Sequence, residues 1–150
     1  MPHDLTRFKK AQERDYETAL AEIRAGEKWS HWMWYIFPQL DGLGFSEISH
    51  YYGIKGIEEA RAYLADDFLR SHLVEISESL LVLESNNATQ VMGYPDDLKL
   101  KSSMTLFLLA SGHDSKYEKE ARVFKAVLDK YFGGEMDAQT VEMTRKEIQC

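Results

Sequence analysis

Apolar residues recur at three- and four-residue steps along most of the chain, which is the spacing of one face of an α-helix. The first such stripe predicts a helix from about Asp4 to Ala25, with Asp4 as its cap and Gly26 at its end. The same spacing predicts four later helices, over residues 57–65, 68–84, 116–132 and 138–147. Their predicted caps include Asp66 or Asp67, Ser115 and Asp137. A strongly apolar helix is expected to begin near Pro95.

One segment lacks this periodicity. All three tryptophans of the chain fall between Trp29 and Phe37, and every residue from Trp32 to Phe37 is apolar or aromatic. Such a run is compatible with a buried strand or with a short helix that is buried on all sides. No partner strand is predicted elsewhere, and an isolated strand leaves its backbone groups unpaired. A short buried helix capped by Ser30 is therefore predicted.

Together these patterns predict an all-α fold, with residues 1–150 forming a single compact domain of about six to eight helices joined by short loops. A chain of 150 residues with 44% hydrophobic and 12% aromatic residues has enough apolar surface for a packed core. Only three prolines and nine glycines are present, which argues against a turn-rich β-sandwich.

The charge balance narrows the functional classes. With 25 acidic against 18 basic residues, the formal net charge is −7, which argues against broad binding to a nucleic-acid backbone. The N-terminal residues lack the apolar core of a secretory signal, and no apolar run approaches the ~18 residues of a membrane span. We therefore expect a cytoplasmic protein without a nucleic-acid partner or membrane association. The only cysteine, Cys150, is expected to be an exposed thiol without a role.

Familiar catalytic and cofactor motifs are absent from the sequence. It contains no Walker loop, dinucleotide fingerprint, nucleophile elbow or zinc-protease motif. No histidine lies three or four residues from another, so neither a metal site nor a cofactor is predicted. The five histidines are His3, His31, His50, His72 and His113.

The aromatic segment has two interpretations. Burial statistics favour a hydrophobic core element. Alternatively, the segment forms a stacking wall for a flat ligand such as a nucleobase, because large rings offer both contact area and polar edges. In this arrangement the ligand-facing side chains are His31, Trp32 and Tyr35. The inward-facing side chains are Trp34, Ile36 and Phe37.

Polar residues follow the aromatic segment on a glycine-rich loop. The amide of Gln39 offers a donor and an acceptor for a base edge, or it satisfies only nearby backbone groups. Asp41 and Glu47 are candidate acid–base groups, because burial beside the aromatic wall would raise the pKa of a carboxyl group. The commoner arrangement for Glu47 is a surface position at the start of a helix.

A second polar cluster follows Pro95, where Lys99, Ser102 and Ser103 share one face of the predicted helix. Near a helix N-terminus, a lysine and two hydroxyl groups would hold an anion such as phosphate. The alternative is an ordinary helix start with solvated lysines. A Lys–Ser pair acting as base and nucleophile would require a desolvated lysine.

Several segments are shared with a known family. They include the run from His31 to Gln39, the loop Gly42-Leu43-Gly44 with Ser46, and the stretch from Asp97 to Phe107. Through them the chain resembles a small, mainly bacterial family, the domain-of-unknown-function family eighteen-ten. The resemblance covers nearly the whole chain and implies a mostly α-helical domain of unestablished function. The calpastatin label sometimes given automatically to this family is not supported by a compact, patterned sequence.

Three functions are consistent with these residues. In the first, the chain is an enzyme for a nucleotide or ADP-ribose-like compound, in which Lys99, Ser102 and Ser103 hold phosphate. Glu47 or Asp41 would then supply acid–base chemistry, and a faint similarity of helix order to N-glycosidase-type domains is an analogy in the same direction. The second function is a non-catalytic ligand sensor, and the third is a protein–protein interaction module. Both ligand hypotheses require the aromatic segment and the lysine-bearing turn to reach one cavity.

Overall fold

The computed structural model of the chain describes residues 3–112 and 115–149, so His113 and Cys150 lie outside the described residues. The described residues form nine α-helices and a 3₁₀ turn at Ser115–Tyr117. The α-helices are α1 (Thr6–Arg24), α2 (Met33–Ile36), α3 (Glu47–Tyr51), α4 (Ile57–Ala65), α5 (Asp67–Leu81), α6 (Ala88–Met92), α7 (Asp96–Ser111), α8 (Glu118–Phe132) and α9 (Ala138–Gln149). Across these two ranges no strand occurs, and the all-α prediction is confirmed.

The predicted amphipathic stripe of α1 is buried in the core. Asp4 accepts a hydrogen bond from the Thr6 N–H at 2.9 Å, and Gly26 adopts a φ of +87° just after the helix. The N-cap position itself is occupied by Leu5, one residue after the predicted cap Asp4, whereas the end of α1 follows from a glycine visible in the sequence. Its buried residues are Phe8, Ala11, Gln12, Tyr16, Ala19, Leu20 and Ile23.

Two acidic residues cap later helices as predicted. Asp66 accepts a hydrogen bond from the Leu69 N–H at 3.0 Å at the start of α5. Asp137 Oδ2 accepts hydrogen bonds from the Thr140 N–H at 2.9 Å and from the Thr140 hydroxyl at 2.6 Å at the start of α9. Each carboxylate satisfies a helix N–H that has no partner within its own helix.

Two other predicted caps are wrong. Ser30 does not cap α2, because its hydroxyl donates instead to Glu22 Oε2 at 2.6 Å. Ser115 does not cap α8 either, because the intervening 3₁₀ turn moves the start of that helix to Glu118. The residue at the N-cap position of α8 is Tyr117, which makes no capping hydrogen bond through its side chain.

The central helix is α7, which packs mainly against α8 and α4 and also contacts α6 and α9. From Leu100 to Phe107, only Lys101 is more than slightly exposed. All faces of the middle of this helix are therefore covered, which explains an apolar sequence without an amphipathic period. Among the helices of the two described ranges, none is both long and apolar enough to cross a membrane.

Gln12 joins four helices through a buried polar network. Its amide nitrogen donates to the Tyr35 carbonyl and to the Tyr63 hydroxyl, each at 2.9 Å. Its oxygen accepts a hydrogen bond from His72 Nδ1 at 2.9 Å. These partners lie on α2, α4 and α5, so one side chain of α1 fixes the positions of three other helices. The network also supplies the partners that a buried amide requires.

Candidate functional site

The predicted orientation of the aromatic segment is only partly correct: Ile36 and Phe37 are buried as expected, whereas three other rings face differently. Trp32 is 1% exposed and Tyr35 is 4% exposed, so both rings belong to the core, and the Tyr35 hydroxyl donates to Asp15. Trp34 was expected to point inward but is partly exposed, whereas His31 projects into solvent. The predicted orientation of Trp32, Tyr35 and Trp34 is therefore wrong. A four-residue helix has no repeating stripe from which its buried side can be predicted.

Glu22 of α1 explains why Trp32 points inward. Its carboxylate accepts hydrogen bonds from the Trp29 N–H, from the N–H and hydroxyl of Ser30, and from the Trp32 indole N–H. Burial acts to raise the pKa of Glu22, but these hydrogen bonds outweigh it and lower the pKa to about 2. The ionised carboxylate thus anchors the loop before α2 and directs the indole into the core.

The aromatic segment contacts the start of α7 through Trp34 and not through Trp32. Lys99 Nζ lies 5.5 Å from the centre of the Trp34 ring, within the range of a cation–π contact. Together with Gln39, these two residues border a narrow crevice of about 10 Å³. That volume is at the lower limit for a single water molecule, so the crevice alone is too small for a ligand.

A wider cleft adjoins the crevice and shares Gln39 and Lys99 with it. Its volume is about 520 Å³, and it lies between the glycine-rich loop, the start of α7 and the start of α9. We refer to it below as the α7–α9 cleft. Lining residues with functional groups or rings include Gln39, Phe45, Tyr94, Lys99, Lys101 and Asp137.

Two aromatic rings of the α7–α9 cleft are exposed to solvent. Phe45 on the glycine-rich loop is 101% exposed, and Tyr94 before α7 is 75% exposed. Leu98, which also lines the cleft, is 51% exposed. Sequence reasoning missed these residues because no periodicity operates in loops. The available signal was the position of Phe45 beside two glycines and of Tyr94 beside a proline, since turn residues keep neighbouring side chains at the surface.

Backbone pairing holds Gln39 at the wall of the cleft. The Ile54 N–H donates to the Gln39 carbonyl at 3.0 Å, and the Asp41 N–H donates to the Ile54 carbonyl at 2.8 Å. Gly44 packs closely here, because a Cβ at that position would lie 2.6 Å from Ser49 Oγ. The Gln39 side-chain amide makes no hydrogen bond with any described residue. Its donor and its acceptor are therefore both available at the cleft.

The predicted phosphate-binding group is assembled only in part. Lys99 and Ser102 line the α7–α9 cleft, but the Ser103 hydroxyl is fully buried, without a hydrogen-bond partner among the described residues. The Ser102 hydroxyl donates to the Leu98 carbonyl at 3.2 Å. Lys99 Nζ lies 3.5 Å from Asp96 Oδ1. Ser103 is enclosed because the middle of α7 is covered on all faces.

Neither of the two predicted acid–base carboxylates lines the cleft. Asp41 is paired with His50 Nδ1 at 3.0 Å and with Lys55 Nζ at 2.9 Å. Burial acts to raise the pKa of Asp41, but Lys55 and His50 outweigh it and keep that pKa below its usual value. Glu47 is exposed in the first turn of α3. The carboxylate that borders the cleft is instead Asp137.

No candidate metal centre accompanies the cleft. Within residues 3–112 and 115–149, no three His, Cys, Asp or Glu side chains are grouped so as to hold a metal ion. The chemistry of the cleft is therefore described by its rings, its amide and its charged side chains. The polar groups are well placed to orient a small molecule, and the exposed rings are placed to cover its flat faces.

Comparisons with known proteins agree with the fold. A family model described as "Protein of unknown function (DUF1810)" matches residues 2–144. The crystal structure of the conserved hypothetical protein Rv1873 from Mycobacterium tuberculosis is similar, with a TM-score of 0.89 and 43% sequence identity. That similarity covers 97% of this chain and 99% of the other chain. Among curated proteins, the comparison finds no match. The residues matched by the family model include all the segments that form the α7–α9 cleft.

Proposed function

This chain belongs to the DUF1810 family of proteins of unknown function, and we propose that it binds a small molecule with a planar ring in the α7–α9 cleft. The volume of about 520 Å³ falls within the range of small-molecule sites, which is roughly 300–1,000 Å³. The cleft combines exposed rings with a few convergent polar groups, as ligand sites commonly do.

The observation that carries this proposal is the exposure of two rings in one cleft. Phe45 and Tyr94 are 101% and 75% exposed, and both line the same cavity as Gln39 and Lys99. Aromatic side chains in water are stabilised when a flat apolar surface covers them. A nucleobase stacked on such a ring contributes about 1–3 kcal/mol of binding free energy. A nucleotide-like or nucleoside-like ring is therefore the class of ligand that we propose.

The positions of the carboxylates favour ligand binding over hydrolysis of the ligand. Glycoside hydrolysis typically uses two carboxyl groups on opposite sides of the scissile bond. Asp41 is engaged by His50 and Lys55, and Glu47 does not line the cleft. Asp137 borders the cleft, but one of its oxygens caps α9. We therefore prefer a ligand-binding or sensor function to the N-glycosidase hypothesis.

A thermal-shift screen followed by calorimetric titration tests the proposal. The chain is mixed with purine and pyrimidine nucleosides, their nucleotides, NAD and ADP-ribose, and the melting temperature is recorded. We expect at least one of these compounds to raise it. Tyr94→Ala should then weaken binding of that compound by about 5- to 150-fold, from the stacking free energy above.

Trp29→Ala is the matched control, because Trp29 is 74% exposed and is not among the residues that line the cleft. It should leave the affinity unchanged. If none of these compounds raises the melting temperature, the proposal of a ring-binding cleft is contradicted. It is also contradicted if Tyr94→Ala and Trp29→Ala weaken ligand binding equally.

A protein-binding function is the second candidate, and the third exposed apolar side chain favours it. Leu98 is 51% exposed next to the two rings, so the three together form an apolar surface that would suit an interface anchor. Sedimentation velocity over a range of protein concentrations tests one form of this idea, self-association. A dimer that Phe45→Ala or Leu98→Ala dissociates would support it, and a monomer at all concentrations would contradict it.

A further inference from the structure

The charges around the α7–α9 cleft are balanced and give no cationic site. Lys99 Nζ lies 3.5 Å from Asp96 Oδ1, and Lys101 forms an ion pair with Glu135. Asp137 adds a carboxylate at the cleft wall that has no cationic partner among the described residues. A phosphate group entering the cleft would meet two lysines that are already paired and one unpaired acid. The formal net charge of −7 for the whole chain adds a long-range repulsion of the same sign.

A second lysine, Lys28, holds Asp96 beside Lys99. Asp96 Oδ2 lies 2.9 Å from Lys28 Nζ, and the Lys28 side chain is only 6% exposed. Asp96 cannot turn away from Lys99 without leaving the ammonium group of Lys28 buried and unpaired, which is costly. Asp96 is thus shared between Lys28 and Lys99, and an incoming anion cannot readily displace it from either lysine.

The backbone at the start of α7 also offers little to an anion. The Asp97 N–H donates to the Gly93 carbonyl at 2.8 Å, and the Leu98 N–H donates to Asp97 Oδ1 at 2.9 Å. The Lys99 N–H donates to the Pro95 carbonyl at 3.3 Å. Of the first three amides of α7, the ones that bind phosphate at other helix starts, those of Asp97 and Leu98 are thus engaged within the chain.

Polar groups that remain available are those that suit an uncharged ligand. Among the described residues, the Gln39 amide has no partner for its donor or its acceptor, and the Ser102 hydroxyl can still accept. Asp137 uses Oδ2 to cap α9, whereas Oδ1 accepts no hydrogen bond from the described residues. A carboxylate oxygen only accepts, so it selects a ligand with N–H or O–H donors, such as an amino group or sugar hydroxyls.

We propose that the ligand is an uncharged nucleoside-like molecule, with a planar ring and an arm that carries hydroxyl or amino donors, and that the cleft discriminates against its phosphorylated form. This inference rests on the proposed ring-binding function. The ring lies against Phe45 and Tyr94, the Gln39 amide contacts its polar edge, and Asp137 Oδ1 accepts from a donor on the arm. Asp137 is thus the specificity-determining residue, because its charge repels a phosphate.

Isothermal titration calorimetry of the chain with matched pairs of ligands tests this inference. The pairs are adenosine, guanosine, cytidine and uridine, each with its 5′-monophosphate. For every pair that binds, we expect the nucleoside to bind at least as tightly as its monophosphate, and about tenfold more tightly at low salt, where charge repulsion is least screened. A monophosphate that binds more tightly than its nucleoside would overturn the inference while leaving the ring-binding function intact. Absence of binding by all eight compounds would overturn the inference, and the ring-binding function would fall with it only if NAD and ADP-ribose also leave the melting temperature unchanged.

Asp137→Asn provides the second measurement. Asparagine keeps an oxygen to cap α9, so the variant is expected to fold, and circular dichroism verifies this. The preference for nucleoside over monophosphate should fall several-fold, because the repelling charge is lost. Glu118→Gln is the matched control, since Glu118 is an exposed acid that does not line the cleft. An unchanged preference in Asp137→Asn would show that this carboxylate does not set the specificity and would overturn the inference.

Discussion

Replacing Trp32 by alanine tests the assignment of its indole to the core. The side chain is 1% exposed, its N–H donates to Glu22 Oε1 at 3.0 Å, and Lys28 Nζ lies 4.8 Å from its ring centre. The substitution removes a large ring from the core and takes one donor from an ionised carboxylate. Truncation of a buried aromatic residue costs about 3–5 kcal/mol, so we expect a loss of this size in the free energy of unfolding. The melting temperature should fall by about 6–20 °C.

Urea unfolding followed by far-ultraviolet circular dichroism measures this loss, because the signal reports helix content and does not depend on the removed indole. Trp34→Ala is the matched comparison within the same segment. The Trp34 ring is already partly exposed, so its removal should cost less than about 2 kcal/mol. Trp32→Phe keeps an aromatic ring in the core but loses the indole N–H and part of the volume, so its cost should lie between those of the two alanine variants.

Equal unfolding free energies for Trp32→Ala and Trp34→Ala would refute the assigned orientation of the segment. A loss below about 1 kcal/mol in Trp32→Ala, with an unchanged urea dependence, would refute it as well. The unchanged urea dependence matters because an altered one would indicate that the compared folded or unfolded states themselves differ.

Acid titration tests the carboxylate anchor: the pKa of Glu22 is about 2 in the folded chain against an ordinary value of 4.5. Its contribution to stability is therefore complete above that ordinary value and is lost as the pH falls toward 2. Between about pH 5 and pH 3, wild type should lose more unfolding free energy than Glu22→Gln in urea titrations, and parallel losses would argue against the anchor. Gln12→Leu deprives the Tyr35 carbonyl and the Tyr63 hydroxyl of their donor, so chemical denaturation should show a cost of about 1–3 kcal/mol for each group. An unchanged free energy of unfolding in Gln12→Leu would show that the network does not contribute to stability.

The helices could be predicted because their signals are local. The stripe of α1, the carboxylate of Asp66 and the glycine after α1 each act within a few residues of the chain. The predicted start of α8 is wrong because a local signal does not show where the helix begins. A serine is a suitable cap wherever a helix begins, but the chain inserts a 3₁₀ turn after Ser115 and satisfies the backbone differently.

The candidate site could be predicted only in part, because its geometry depends on contacts between distant segments. The expectation that Gln39 and Lys99 border one cavity agrees with the structure, whereas the ring above Lys99 belongs to Trp34. Which ring faces Lys99 depends on Glu22 of α1, because its carboxylate accepts a hydrogen bond from the Trp32 indole N–H. The exposed ring of Phe45 lies in an irregular loop, where the sequence pattern carries no information about burial.

The amide of Gln12 has a consequence for how the helices move. It is fully satisfied only while α2, α4 and α5 are all docked on α1. If one of these helices slid along α1 by a turn, a polar group would be stranded in an apolar interior, so intermediate registers are unfavourable. The four helices therefore behave as one cooperative block.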